Sequence, residues 1–274
     1  MPEVGQADTI DDVLAALDDV VARSIEQQDR VGYFAALYRT VTAKVKEGIE
    51  QGRFDDVERM ARLDVVFANR YLDALAGFRA GTPITHCWQA ALDAAGQRRP
   101  LILQQLLVGI NAHINLDLGI AAATVAPGAQ LSALRRDFDR INEILAAQIA
   151  TVADDVGSLS PWIGFLRLVG GRREDELVRF SIEVARTQAW WFARELATLP
   201  PDQWGGPIGA RDAVVTRLAR RVLHPGGLLG TGLLVVRARE RNDVAHNIRV
   251  LGRLPGPDLA VVDARVREER HPDG

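Results

Sequence analysis

Cysteine and lysine are almost missing from this 274-residue chain: Cys87 is its one thiol, and Lys44 and Lys46 are its lysines. A single cysteine excludes an intrachain disulfide and any zinc site built from several thiolates. The scarcity of lysine among 33 basic residues points to a GC-rich coding bias and so concerns origin only. No run reaches the ~18 apolar residues of a membrane span. The opening Met1-Pro-Glu-Val-Gly-Gln-Ala-Asp lacks the basic-then-apolar order of a signal peptide, so a soluble, cytoplasmic protein is expected. Catalytic signatures are missing as well. The chain has no Gly-x-x-x-x-Gly-Lys loop, no Gly-x-Ser-x-Gly elbow and no His-Glu-x-x-His pair. The cluster Gly227-Leu-Leu-Gly230-Thr-Gly232 follows no strand, which leaves a dinucleotide loop weak. A net charge of −3 and a pI near 6.0 give no argument for nucleic acid.

What is present is helical periodicity. No linker divides the chain, and 47% hydrophobic content suits one all-α domain over 1–254, bundle-like, with about eight helices. A tail over 255–274 begins at Pro255-Gly-Pro and is expected to be partly disordered. Thr9 with Asp12 predicts a helix start. The second helix, from about Asp29 to Gly52, has Val31, Phe34, Leu37, Tyr38, Val41 and Val45 as its core stripe, with Tyr33, Arg39 and Lys44 on a solvated face or lining a pocket. In the third, 55–80, Met60, Leu63, Phe67, Tyr71, Ala74 and Phe78 form the stripe. Asp64 falls beside that stripe, a candidate buried carboxylate, whereas Asn69 and Asp73 lie away from it. His86 opens a short helix as a packing residue or a ligand.

Leu101–Val125 is apolar on nearly every face, so it is expected to be the buried central helix, starting at Pro100. Within it stands Asn111-Ala-His113-Ile-Asn115-Leu-Asp117. At ~100° per residue the pairs His113/Asp117 and Asn111/Asn115 face roughly 160° apart, so one pair alone lines a given site. A following helix (131–153) places Asp137 and Asn142 at the borders of its apolar stripe, Asp139 further round and Glu143 nearly opposite. Along 174–199, Leu177, Phe180, Ser181, Val184 and Trp191 make a core face, with Arg186 at its flank and a surface position its plainer reading. From Arg211 to Arg253 nine arginines face Asp212, Glu240 and Asp243, which allows weak contact with an anionic membrane surface.

A histidine and an aspartate four apart on a helix project together and can hold one divalent ion, whether zinc, manganese, iron or magnesium. The expectation is a metal-dependent ester or phosphoester hydrolase acting on a small molecule. His113, Asp117 and Asp139 are its ligands; Asp64 and Asp137 are catalytic carboxylates, and Asn142 orients substrate. Bound water would be activated near pH 7. Two alternatives stand beside it. One is a non-enzymatic helical protein whose buried polar residues fix helix register or surround a small ligand. The other is an acid/base enzyme of secondary metabolism that needs no metal. Oligomeric state is not readable.

The runs Arg-Leu-Asp-Val-Val-Phe-Ala-Asn-Arg-Tyr-Leu-Asp from Arg62, Asn-Ala-His-Ile-Asn-Leu-Asp-Leu from Asn111 and Arg-Asp-Phe-Asp-Arg-Ile-Asn from Arg136 resemble a bacterial family of unknown function over most of the chain. The order His113, Asp117, then Asp139 with Glu143 is similar in arrangement to the all-helical zinc-dependent phospholipase C and nuclease group. Asp139 stands where that group has a histidine, and its other histidines are missing here.

Overall fold

The computed structural model describes residues 6–141, 174–225 and 242–253, with Leu159, Arg237 and Glu240, and side chains from 184 onward in the second stretch. Among these residues there is no strand, and the fold is all-α, as expected. The helices are α1 (Ile10–Gln27), α2 (Val31–Glu50), α3 (Val57–Ala80), α4 (His86–Ala95), α5 (Ile102–Ala112), a π turn at His113–Asp117, and α6 (Leu118–Val125). Then come α7 (131–141), α8 (Glu174–Ala197), α9 (Gly205–Leu223) and α10 (Val244–Gly252). Apart from Leu159, which is buried, the stretch 157–171 lies outside the described residues, as do Leu228–Val236 and the tail.

Local chemistry sets the ends. Thr9 and Asp12 form a capping box at α1, each side chain accepting the other's backbone N–H. Gly81, with φ of 70°, closes α3 in the left-handed conformation that glycine adopts without strain. The central helix starts at Ile102 rather than Pro100, because the Gln104 side chain accepts the N–H of Leu101 and Glu240 accepts that of Ile102.

Helices α5 and α6 with the π turn between them make the rod around which the rest packs. The first half meets α2, α4 and α9; the second meets α3 and α8. Contrary to the expectation that no run is long enough, Ile102–Val125 is long and apolar enough to cross a membrane by length and composition, although most of it is enclosed by neighbouring helices.

Two faces differ from the periodic reading. Tyr33 is buried, not solvated, because α10 packs on α2 and Asn247 donates to its hydroxyl at 3.2 Å. Arg39 and Lys44 do sit at the surface, paired with Asp18 and Glu47. On α8 the core stripe is Arg186, Ala189, Trp190, Ala193 and Leu196, while Val184 and Trp191 are exposed; Leu177, Phe180 and Ser181 lie where side chains are not described. The reason is close approach of helices. A Cβ on Gly119 of α6 would meet the Ala189 carbonyl at 2.9 Å and Phe192 Cδ1 at 2.7 Å. Small residues select that face, whereas bulk alone suggested Val184 and Trp191. Trp191 is covered in part by the Arg194 guanidinium, 4.6 Å from its ring centroid. Gly119→Ala is therefore expected to cost about 1–3 kcal/mol by overpacking against backbone that cannot move aside, read as a fall in the urea unfolding midpoint without a change of slope.

Candidate functional site

His113 and Asp117 sit at the two ends of the π turn, buried to 3% and 0% exposure. A π turn inserted in an α-helix leaves the i→i−4 ladder locally broken and recurs at functional sites. Here the outer side of the break is held by α9. Arg211 Nε donates to the Asn115 carbonyl at 2.8 Å, Asn111 Nδ2 donates to the Val215 carbonyl at 2.9 Å, and Asn115 Nδ2 donates to Asn111 Oδ1. Asn111 and Asn115 thus tie the rod to α9, on a different side from the His113/Asp117 pair.

Asp117 is the anchor of the inner side. Its Oδ1 accepts from Arg70 Nε at 3.0 Å, and its Oδ2 accepts from Trp88 Nε1 at 2.7 Å and faces His113 Nδ1 at 3.4 Å. The first two bonds are short and charge-assisted; the third is longer and serves to orient the ring. With Nδ1–H directed at a carboxylate, the lone pair of the imidazole is on Nε2, and that atom is buried with no hydrogen-bond partner. Five aromatic rings enclose the imidazole. Phe67 stacks on it at 3.6 Å and 9°, Tyr38 meets it edge-on at 4.5 Å, and Phe34, Trp88 and Tyr71 stand at 5.8, 6.0 and 6.4 Å. Burial therefore pulls His113 below its usual value, and Asp117 offsets this only in part.

Asp64 lies one turn before Phe67 on α3, at 7% exposure, with Oδ2 unpartnered. Burial raises its carboxyl from 3.8 to about 7. The Tyr38 hydroxyl, buried beside that of Thr42, belongs to the same region, since burial and then the Asp64 charge hold its phenol well above 10, which the Thr42 hydroxyl offsets only in part. Asp64 gives a checkable pH dependence. Its folded value is above its unfolded one, so the neutral acid favours the fold: that stability is whole below about pH 4 and is lost as pH rises to about 7. His113, lowered, acts with the opposite slope below 6.5. Asp64→Asn is expected to be more stable than the parent chain at pH 8, with the decline between pH 4 and 7 removed, as measured by urea denaturation across that range.

The remaining expected residues are placed apart. Asp137 is buried at 0% exposure, and its oxygens accept the N–H groups of Asp55 (2.7 Å) and Asp56 (3.1 Å) and the Arg59 guanidinium (3.1 Å). It ties α7 to the start of α3. Asp139 is half exposed and pairs with Arg135 one turn before it, at 2.7 Å. The structure thus brings His113 and Asp117 together and leaves Asp137 and Asp139 in other bonds; Asn142 and Glu143 lie outside the described residues. Among the described residues no group of three or more His, Cys, Asp and Glu side chains is placed to hold a metal ion. Asn69, expected on a solvated face, clamps both backbone groups of Ala7, and Asp73 is exposed. His86 is exposed, with Nδ1 at 2.9 Å from Asp212, whose carboxylate also accepts the N–H groups of His86 and Cys87. Burial of the Cys87 thiol pushes it up, which disfavours the thiolate that a nucleophile requires.

Periodicity put Tyr38 in the core stripe without a part in the site, and it missed Arg70, Trp88 and Arg211. The signal that finds the first two is demand: a buried carboxylate needs donors from neighbouring helices, and Arg70 and Trp88 stand beside core positions on α3 and α4.

With that geometry in place, the comparison that decides membership is a family model matching residues 10–225, most of the chain. The chain belongs to DUF5995, a family of unknown function. No curated protein and no solved structure matches it. The DUF5995 span contains His113, Asp117, Arg70, Trp88, Asp64 and Arg211, whereas α10, which reaches Tyr33 through Asn247, lies beyond its end.

Proposed function

We propose that this DUF5995 protein binds a small molecule in its interior and moves a proton at His113 Nε2, with no metal required. The observation that carries the reading is the unpartnered Nε2 of an imidazole whose other nitrogen faces a carboxylate. A purely structural network satisfies its buried atoms, since each one left open costs about 1–3 kcal/mol. Several buried atoms are left open, and two of them, His113 Nε2 and Asp64 Oδ2, belong to groups that can accept or donate a proton near neutral pH. His113, neutral at pH 7, serves as base with Asp117 steadying the imidazolium that forms. Asp64, whose carboxyl titrates near 7, serves as acid.

The test is turnover of a panel of small ketones, esters, phenols and carboxylic acids, followed by proton NMR in the presence of EDTA. Conversion by the parent chain that is lost in His113→Asn and Asp64→Asn, both checked for folding by circular dichroism, supports the reading. Binding without turnover across the panel would place the protein with ligand-binding or structural proteins instead.

A second reading rests on the same geometry: a carboxylate on Nδ1 is also how a metal-ligating histidine is oriented. In the hydrolase so obtained, Nε2 and Asp64 are the ligands, Asp117 orients the imidazole, and Asp139 has no part. Elemental analysis after incubation with zinc or manganese decides it, a stoichiometric ion lost in His113→Asn being the supporting result.

A further inference from the structure

We propose that the exposed face of α9, with the turn between α4 and α5, docks on an anionic lipid surface. α9 carries Arg211, Arg217, Arg220 and Arg221 and one acidic residue, Asp212, which is buried and accepts the N–H groups at the start of α4. At ~100° per residue, Leu218 stands about 40° to one side of Val214, with Arg221, Arg217 and Arg220 about 20°, 60° and 120° to the other. Solvent therefore meets an apolar strip edged by guanidinium groups: Val214 is 53% and Leu218 45% exposed, and those three arginines are exposed as well. Leu107 widens the strip. Gln104 and Asn111 of α5 donate to the carbonyls of Val222 and Val215, so Leu107, between them on the same side, comes level with Leu218 and Ala219; it is 39% exposed. Arg98 and Arg99 are exposed in the turn before α5, which starts beside the end of α9.

Charge and apolar exposure together select the partner. Among the described residues, none of Arg98, Arg99, Arg217, Arg220 and Arg221 is in an ion pair, so their charges face outward uncompensated. The chain as a whole carries −3, which makes the attraction to an anion a property of this face. The helix dipole favours Arg220 and Arg221 in the last turn, yet it gives no reason to expose aliphatic side chains beside them. A nucleic acid is held through phosphates and base edges and gains little from such a strip. An anionic bilayer uses both parts: its head groups meet the guanidinium groups, and its acyl boundary takes up Val214, Leu218 and Leu107. None of these residues belongs to the acid–base site, so the surface stands apart from that reading.

The test is cosedimentation of the full chain with phosphatidylcholine vesicles, with and without phosphatidylserine. Binding to the phosphatidylserine vesicles alone is expected at low salt, and it should vanish near ~1 M salt, where charges are screened within about 3 Å. The triple variant Arg217→Gln, Arg220→Gln, Arg221→Gln is expected to bind about a hundredfold more weakly, roughly fivefold for each arginine. Leu218→Gln is expected to lose about tenfold, as one aliphatic contact goes. All four positions are exposed, so both variants should keep the fold, as circular dichroism checks. No sedimentation with either vesicle at low salt, equal sedimentation with both, or a triple variant that binds as the parent does overturns the proposal. Binding indifferent to Leu218→Gln also overturns it, and displacement by a short DNA duplex would then mark the face as a nucleic-acid contact.

Discussion

Replacing Asp117 by alanine is expected to destabilise the protein by about 3–5 kcal/mol, because it breaks a buried ion pair and leaves its partners without compensation. Arg70 would lose its carboxylate, the Trp88 indole N–H its acceptor at 2.7 Å, and His113 Nδ1 its orienting group. A urea unfolding series reads the loss directly. Asp117→Asn keeps the volume and an oxygen for Trp88, so it is expected to cost less. In either variant the His113 imidazole should fall further below its usual value, since Asp117 is the group that offsets burial there. If the substitution proved nearly neutral, the rod would not depend on this cluster.

Asp137→Ala is the matched case, with an expected loss of about 3 kcal/mol or more by the same mechanism. It removes the acceptor for the N–H groups of Asp55 and Asp56 and the counter-charge of Arg59, and so loosens the start of α3. The two aspartates are both at 0% exposure and both bonded to an arginine, and they differ in what lies beyond them. Asp137 supports backbone; Asp117 supports an imidazole. Hence Asp137→Ala should leave the His113 ring resonances in place while unfolding at lower urea, and Asp117→Ala should move both. A His113 response to Asp137→Ala would mean that the two clusters are one network.

These residues also show what periodicity can and cannot tell. Helix limits were legible where a local signal exists, as at Thr9 with Asp12 or at Gly81, and the rod around Leu101–Val125 was legible from its apolarity on all faces. The opposition of His113/Asp117 to Asn111/Asn115 was legible from angular spacing. The π turn was not, because nothing in His113-Ile-Asn-Leu-Asp117 marks it locally; it is held by Arg211 and Val215 nearly a hundred residues on. Angular position did separate Asp137, at the border of the apolar stripe, from Asp139 further round, and Asp137 is buried while Arg135 one turn earlier gives Asp139 a partner at the surface; what it could not show is that Asp139 has no part beside His113. Arg186 escaped the periodic reading for a related reason. It is 3% exposed, donates to the Phe138 carbonyl at 2.6 Å and lies 4.6 Å from that ring, and burial brings it down to about 10. A helix wheel ranks an arginine by its charge and does not see an aromatic ring waiting on the next helix.

The central claim is that His113 is a neutral imidazole, protonated on Nδ1 toward Asp117 and open at Nε2. Nitrogen-15 NMR of the histidine ring across pH 4.5–8, assigned with His113→Asn, tests it most directly. The expected spectrum has the Nδ1–H tautomer at pH 7 and no protonation of Nε2 until pH falls below the ordinary 6.5. A charged imidazolium at pH 7, or a proton resident on Nε2, would contradict it.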